Sequence, residues 1–267
     1  MRVVIEQDYD GMSRAAAQLI ADLVRSKPNC ILGLATGSTP EGMYTELAKM
    51  SREGLDFSGV TTFNLDEYYG LGPDHDQSYR YFMEDKFFTQ LQMRPSITNV
   101  PDGQAACVET HCREYEQAIV DAGGLDIQVL GIGGDGHVAF NEPGSSLGSR
   151  TRMVALTEET IDDNSRFFES AADVPRFALT MGVGTILEAR QCLLMASSAK
   201  KATVVAKAIE GPITSMITAS ALQLHPNTIA FLDNDAASAL SQREYYEHSE
   251  KMHREQNAEA STSAAGA

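Results

Sequence analysis

Within LGIGGDGHVAFNEP at 130–143, an aspartate, a histidine and a glutamate stand at 135, 137 and 142 on a glycine-rich segment that follows an apolar run. Three titratable groups gathered where a strand ends point to chemistry, and three readings fit them. Asp135, His137 and Glu142 are suitable ligands for a divalent ion. They also suit a proton relay, in which a carboxylate orients the imidazole and sets its charge. The plain alternative is a structural histidine between two loop acids. The relay ranks first because the glycine density has no other evident purpose, and metal ranks last for want of a second histidine. The segment also satisfies the GxGxxG pattern of dinucleotide-binding folds at 131–136. That pattern should open a long helix and be followed about 20 residues later by an acid ending the next strand. Pro143 and Gly144 interrupt any helix too early, so the glycines are read as a sharp turn that aims three groups into one pocket.

Other segments could complete such a pocket. LGLATGSTP at 32–40 passes from an apolar run through small residues into a helix carrying Met43, Tyr44 and Leu47, with Thr39 expected as N-cap and Pro40 as first helical residue. Free N–H groups there, with close approach at Gly37 and hydroxyls on Ser38 and Thr39, make an anion site whose natural guest is phosphate. A merely well-capped turn explains this segment, taken alone, equally well, and the missing lysine excludes a Walker loop. In FNLDEYY at 63–69 the acids Asp66 and Glu67 close an apolar strand. Neighbours on an extended chain point in opposite directions, so one of the two should face a cleft. There it could act as a general base, although solvated acids commonly end strands. Arg166, in NSRFF at 164–168, and Lys201, in SSAKKA at 197–202, are candidate phosphate ligands by position. His111, His248 and His253 read as helix-surface residues, while His75 and His225 sit in loops without a partner for catalysis.

Loops of this kind need strands that end side by side. Short apolar runs recur at 3–5, 30–34, 60–65, 127–130, 192–196 and 228–232, with amphipathic stretches between most of them. In 8–25, Ala15, Ala16, Leu19, Ile20, Leu23 and Val24 fall at helical spacing. The alternation predicts an α/β fold: a three-layer αβα, doubly wound, mostly parallel sheet, Rossmann-like and a single domain. Ligands then bind beyond the carboxyl ends of the strands. With 267 residues, 43% of them apolar, the core is ample. One domain is expected over 1–256, ending in a charged helix at 242–256, with a small, polar, disordered tail at 257–267. The stretch 157–163 is charged enough to be exposed and mobile.

A formal charge of −16 argues against a nucleic-acid partner. Cys30, Cys107, Cys112 and Cys192 form no CxxC pair and are expected to be reduced, buried thiols of a cytoplasmic protein. The first residues lack the apolar core of a signal peptide, and no apolar run approaches membrane-spanning length, so a soluble intracellular chain is expected.

Taken together, these segments resemble the glucosamine-6-phosphate deaminase (isomerase) family, from the N-terminal strand to about Asp233. LGLATGSTP, FNLDEYYGL at 63–71, GIGGDGHVAFNEPGSSLGSRTR at 131–152, NSRFF, LTMGVGTIL at 179–187 and LQLHP at 222–226 carry the resemblance. It implies an enzyme of amino-sugar catabolism that converts glucosamine 6-phosphate to fructose 6-phosphate and ammonia with no redox cofactor and no catalytic metal. The implied partner is that small molecule alone, without nucleic acid or membrane, and the chain is a monomer or homo-oligomer. By the same resemblance Asp66 is the base that moves a proton between C2 and C1. His137 opens the sugar ring, oriented by Asp135 and Glu142. Gly37, Ser38 and Thr39 hold the phosphate together with Arg166 and Lys201, and Glu67 is a substrate contact. Members activated by N-acetylglucosamine 6-phosphate carry a lysine where this chain has Val154, although Ser145 and Arg152 match, so activation of that kind is not expected. A 6-phosphogluconolactonase would need neither Asp66 nor acids on both sides of His137. A sugar-phosphate sensor of transcription regulators is disfavoured by the acidic charge and by the lack of a helix-turn-helix before residue 30.

Overall fold

The computed structural model describes residues 1–166, 168–170 and 172–265. Phe167 of the NSRFF segment and residues 266–267 of the expected tail lie outside the described residues. Seven parallel strands form the main sheet: β1 (Arg2–Glu6), β2 (Ile31–Leu34), β3 (Thr61–Asn64), β5 (Ile97–Asn99), β6 (Ile127–Leu130), β9 (Cys192–Ala196) and β10 (Thr228–Asp233). Their spatial order is β1-β10-β9-β6-β2-β3-β5. Every residue of β2, β6, β9 and β10 is buried, as expected of strands covered on both faces by helices. Those helices include α1 (Tyr9–Ser26), α2 (Ser38–Arg52), α4 (Val108–Ala122) and α7 (Ala202–Glu210), with a short α6 (Val183–Leu187) preceding β9. After β2 the chain moves outward through β3 and β5, then returns to lay β6 on the other side of β2 and continues through β9 and β10. The direction reverses between β2 and β6, and a crevice opens at such a switch point.

The run at 60–65 reads as one strand ending in two acids, but the chain changes sheets there. Leu65 donates its N–H to Leu34 O at 3.0 Å and accepts from Met181 N at 2.7 Å, joining the two sheets. Asp66 then opens β4 (Asp66–Tyr68), which pairs antiparallel with β8 (Phe177–Thr180), itself paired with β7 (Arg152–Ala155). This small sheet and α3 (Tyr79–Lys86) close over a second apolar cluster of Tyr68, Phe140, Leu156, Ile161, Val174 and Ala178. Part of that cluster comes from α5 (Glu158–Ser165): Thr160 and Ile161 are buried, so the stretch expected to be exposed and mobile is docked along one face.

Cys107 is exposed, against the expectation that all four thiols are buried, because it caps α4 and its Sγ donates to Thr110 Oγ1 at 3.3 Å. His225 is a buried structural histidine: its Nε2 donates to Ala189 O at 2.7 Å while Nδ1 accepts from Asn227 N. After β10, helix α8 (Arg243–Ala265) is tied back to β1, since Arg2 makes two hydrogen bonds to the buried Glu250. Its backbone carries the first part of the tail as far as Ala265. No described helix is long and apolar enough to cross a membrane.

Candidate active site

Four neighbouring strand ends, in the order β9, β6, β2, β3, deliver their loops to one cavity of about 230 Å³. Its lining includes Gly37, Ser38 and Thr39 after β2, Asp66 after β3, His137 after β6, Lys201 after β9 and Arg166 at the end of α5. Seven of the ten sequence candidates therefore share one space. Asp135 and Glu142 do not line it and stand behind His137, while Glu67 faces elsewhere.

The anion loop differs in detail from its sequence reading. Helix α2 begins at Ser38, and its N-cap is Gly37 at φ +100°, a conformation that favours glycine. Pro40 falls inside the first turn, which tolerates it because N–H groups there have no intrahelical acceptor. Gly37 brings no side-chain cap, so the N–H groups of the first turn are not covered by their own cap. Tyr9, unremarked in the sequence, braces this turn: its hydroxyl accepts from Gly42 N at 2.8 Å and donates to Ser38 O at 2.9 Å. Lys201 faces the loop from a 3₁₀ turn, and burial lowers its pKa against the raising effect of Asp163 and Asp135.

On the histidine side, Nδ1 of His137 lies 2.8 Å from Asp135 Oδ1 and 3.4 Å from Glu142 Oε2. Its N–H is held between the two carboxylates and is aligned for a hydrogen bond with neither. Burial opposes the imidazolium charge, but Asp135 and Glu142 outweigh it and raise the pKa to about 9. Asp135 is held at about 2: burial would raise it, and His137 more than reverses that effect. The ring lies against Gly133, where a Cβ would come within 2.4 Å of His137 Cε1, so no other residue fits beneath it. Glu142 Oε1 accepts from Thr160 Oγ1 at 2.6 Å, anchoring this carboxylate to α5. With Nδ1 enclosed by the two carboxylates, Nε2 is the nitrogen that can serve a ligand in the cavity.

Asp66 contrasts with this arrangement. It is 6% exposed, and among the described residues no group donates a hydrogen bond to its carboxylate. Burial, then the nearby Glu67 charge, raises its pKa to about 8. Glu67, on the opposite side of the extended chain, accepts from Tyr68 N, Tyr79 N and Arg80 N at 2.8–2.9 Å. Its carboxylate complements the positive N-terminal end of α3, so this expected substrate contact instead holds Tyr79 in the cavity wall.

The family described as glucosamine-6-phosphate isomerases/6-phosphogluconolactonase matches residues 7–230. The chain belongs to this family. It is similar to the glucosamine-6-phosphate deaminase of Halothermothrix orenii, 52% identical over 241 residues that cover 90% of this chain and all of the relative. The glucosamine-6-phosphate deaminase of Clostridioides difficile is 49% identical over 246 residues, covering 92% of this chain and 99% of that one. Among solved structures, a monomeric glucosamine-6-phosphate deaminase superposes with a TM-score of 0.87 at 46% identity, over 90% of this chain and 100% of that one. A 6-phosphogluconolactonase from Leishmania guyanensis shares the fold, with a TM-score of 0.70 at 21% identity over 88% of this chain and 97% of that one.

Within this family frame, the donor atoms of Asp135, His137 and Glu142 lie within 4.8 Å of one another, close enough for a metal. Two carboxylates directed at a single ring nitrogen nevertheless favour a proton there, because a metal on Nδ1 would require the proton they stabilise to leave. Sequence reasoning passed over Tyr79 and Asn164 as cavity residues. Thr157, the N-cap of α5, carried a signal: a helix starting at Glu158 sets Asn164 one turn and a half later, beside Arg166.

Proposed function

We propose that the chain is a glucosamine-6-phosphate deaminase, converting glucosamine 6-phosphate and water to fructose 6-phosphate and ammonia. The observation that carries this reading is one cavity with two separate acid-base groups, Asp66 and His137, beside an anion site. Relatives of that name at about half identity over nine-tenths of the chain support it. The phosphate sits on the N–H groups of 37–39 with Arg166 and Lys201, and this remote binding holds the sugar's C1 and C2 at Asp66.

The charged His137 first gives a proton to the ring oxygen, and the anomeric hydroxyl loses one, which opens the chain to an aldehyde. Asp66 then takes the proton from C2, now acidic beside the carbonyl, and returns it to C1. As O1 takes up a proton and the nitrogen gives one up, C2 becomes an imine, which adds water; the proton of the new C2 hydroxyl passes to nitrogen, the C–N bond breaks, and ammonia leaves fructose 6-phosphate. Asp135 and Glu142 orient the imidazole and favour its return to the charged form once it has given up its proton. This chemistry calls for neither a redox cofactor nor a metal. The working unit is a cytoplasmic monomer or homo-oligomer built from one domain, 1–256, with 257–267 as a tail outside it. Its partner is the sugar phosphate, without nucleic acid or membrane.

The test is direct: incubate the protein with glucosamine 6-phosphate and measure ammonia and fructose 6-phosphate, with and without a chelator. Stoichiometric release of both, insensitive to chelation, is expected. A wild-type protein that releases no ammonia refutes the assignment, and loss of activity on chelation restores the metal reading of 135, 137 and 142.

A further inference from the structure

Lys201 reaches the anion loop only because the chain leaving β9 turns sharply at 197–198. Ser198 holds φ +83° and ψ 151°, a conformation that a residue with a Cβ rarely adopts and that surrounding contacts must enforce. The 3₁₀ turn Ala199–Lys201 follows at once, closed by Lys201 N donating to Ser198 O at 3.0 Å. On its other side, 197–198 shares a cleft with Tyr9, Ser38 and Thr39, so the turn abuts the anion loop itself. One buried carboxylate enforces this geometry. Asp233, the last residue of β10, accepts from Ser197 Oγ, from Ser198 N at both oxygens (3.0 and 3.2 Å) and from Ala236 N at 2.7 Å. An acid beside an anion site opposes anion binding by its charge. Here its oxygens are taken up by donors of the turn.

We infer that Asp233 is a positioning residue of the anion subsite, holding the turn at 197–198 in its left-handed shape so that Lys201 stands over the loop at 37–39. The inference rests on the phosphate site assigned above, and it gives a role to a residue that touches no part of the cavity.

Inorganic phosphate binding by calorimetry, together with steady-state kinetics on glucosamine 6-phosphate, tests it. Asp233→Ala weakens phosphate binding and raises KM by about tenfold each, with kcat within about twofold, as loss of a remote binding contact does. Ser198→Gly in that background restores phosphate affinity to within about threefold of wild type, because glycine takes the same φ without a Cβ cost. In a Lys201→Ala background, Asp233→Ala costs nothing further, since residues acting through one another are not additive. Unchanged phosphate affinity in Asp233→Ala, a loss that Ser198→Gly does not restore, or an added loss on top of Lys201→Ala each overturns the inference. Should Asp233→Ala fail to fold, Asp233→Asn, which keeps one acceptor oxygen, is judged by the same criteria. Absence of ammonia from wild type would refute the deaminase assignment while leaving the phosphate titration to decide this one.

Discussion

Asp66 lines the cavity and Asp135 stands behind the cavity's histidine, yet one is pushed up to about 8 and the other held near 2. Both are partly or wholly removed from water, so burial alone does not separate them. Asp135 has an imidazole nitrogen at 2.8 Å and a backbone N–H from His137, whereas no described group donates to Asp66. A carboxylate given donors becomes a fixed charge that orients its neighbour. A carboxylate denied them is left with a poised proton. In the proposed mechanism the two acids thus take different parts through their surroundings rather than through residue type.

The largest effect that probes this contrast comes from the undonated acid. Asp66→Asn should lower kcat by about 10³-fold, within the range for removing a general base, as read in the ammonia assay. The same variant should be more stable than wild type. Because the folded pKa of Asp66 exceeds its unfolded value, the wild type loses stability as pH rises from about 4 towards 8. The asparagine form escapes that loss, by on the order of 4 kcal/mol at pH 7 in denaturant titrations. A destabilised Asp66→Asn protein would show that the buried charge is not isolated.

Gly133→Ala attacks the other half without touching a charge. A Cβ lodged under the His137 ring should displace it and cost about 10²-fold in kcat, with the melting curve little changed. Wild-type turnover in this variant would mean that ring placement does not matter.

The pH profile of kcat/KM gives the next effect. Asp66 must lose its proton and His137 must keep one, so activity should climb through about 8 and fall through about 9. Glu142→Gln removes one of the two charges that raise His137, moving the alkaline limb down by about one pH unit. A profile that moves on its acid limb instead would reverse the assigned roles. The smallest effect expected is none at all. Arg152 is turned inward onto Asn141 Oδ1 at 2.9 Å and Ser145 Oγ at 3.2 Å, with Val154 two residues on. N-acetylglucosamine 6-phosphate should therefore leave the saturation curve unchanged, and a shift from sigmoidal to hyperbolic would contradict this.

Six of the seven main strands, and the loops that matter, were legible because a strand buried on both faces must be a short apolar run. The exceptions share a cause. Strand β5 is an edge strand with exposed Ile97, β7 alternates half-buried and exposed residues, and β4 is three residues that begin with two acids, so none of these carries a continuous apolar signature. Glu67 read as a substrate contact because it adjoins Asp66, and only the docking of α3 shows where its carboxylate goes. Asp233 gave no signal, since its partners in the turn at 197–198 lie 35 and 36 residues away in the chain.

Local sequence determined which residues could do chemistry and that they would sit at strand ends, because residue type and hydrophobic period are local properties. Tertiary structure alone decided which carboxylate is poised and which is spent. That depends on donors and burial supplied by distant segments, and the same side chain becomes a base or a fixed charge according to what folds against it.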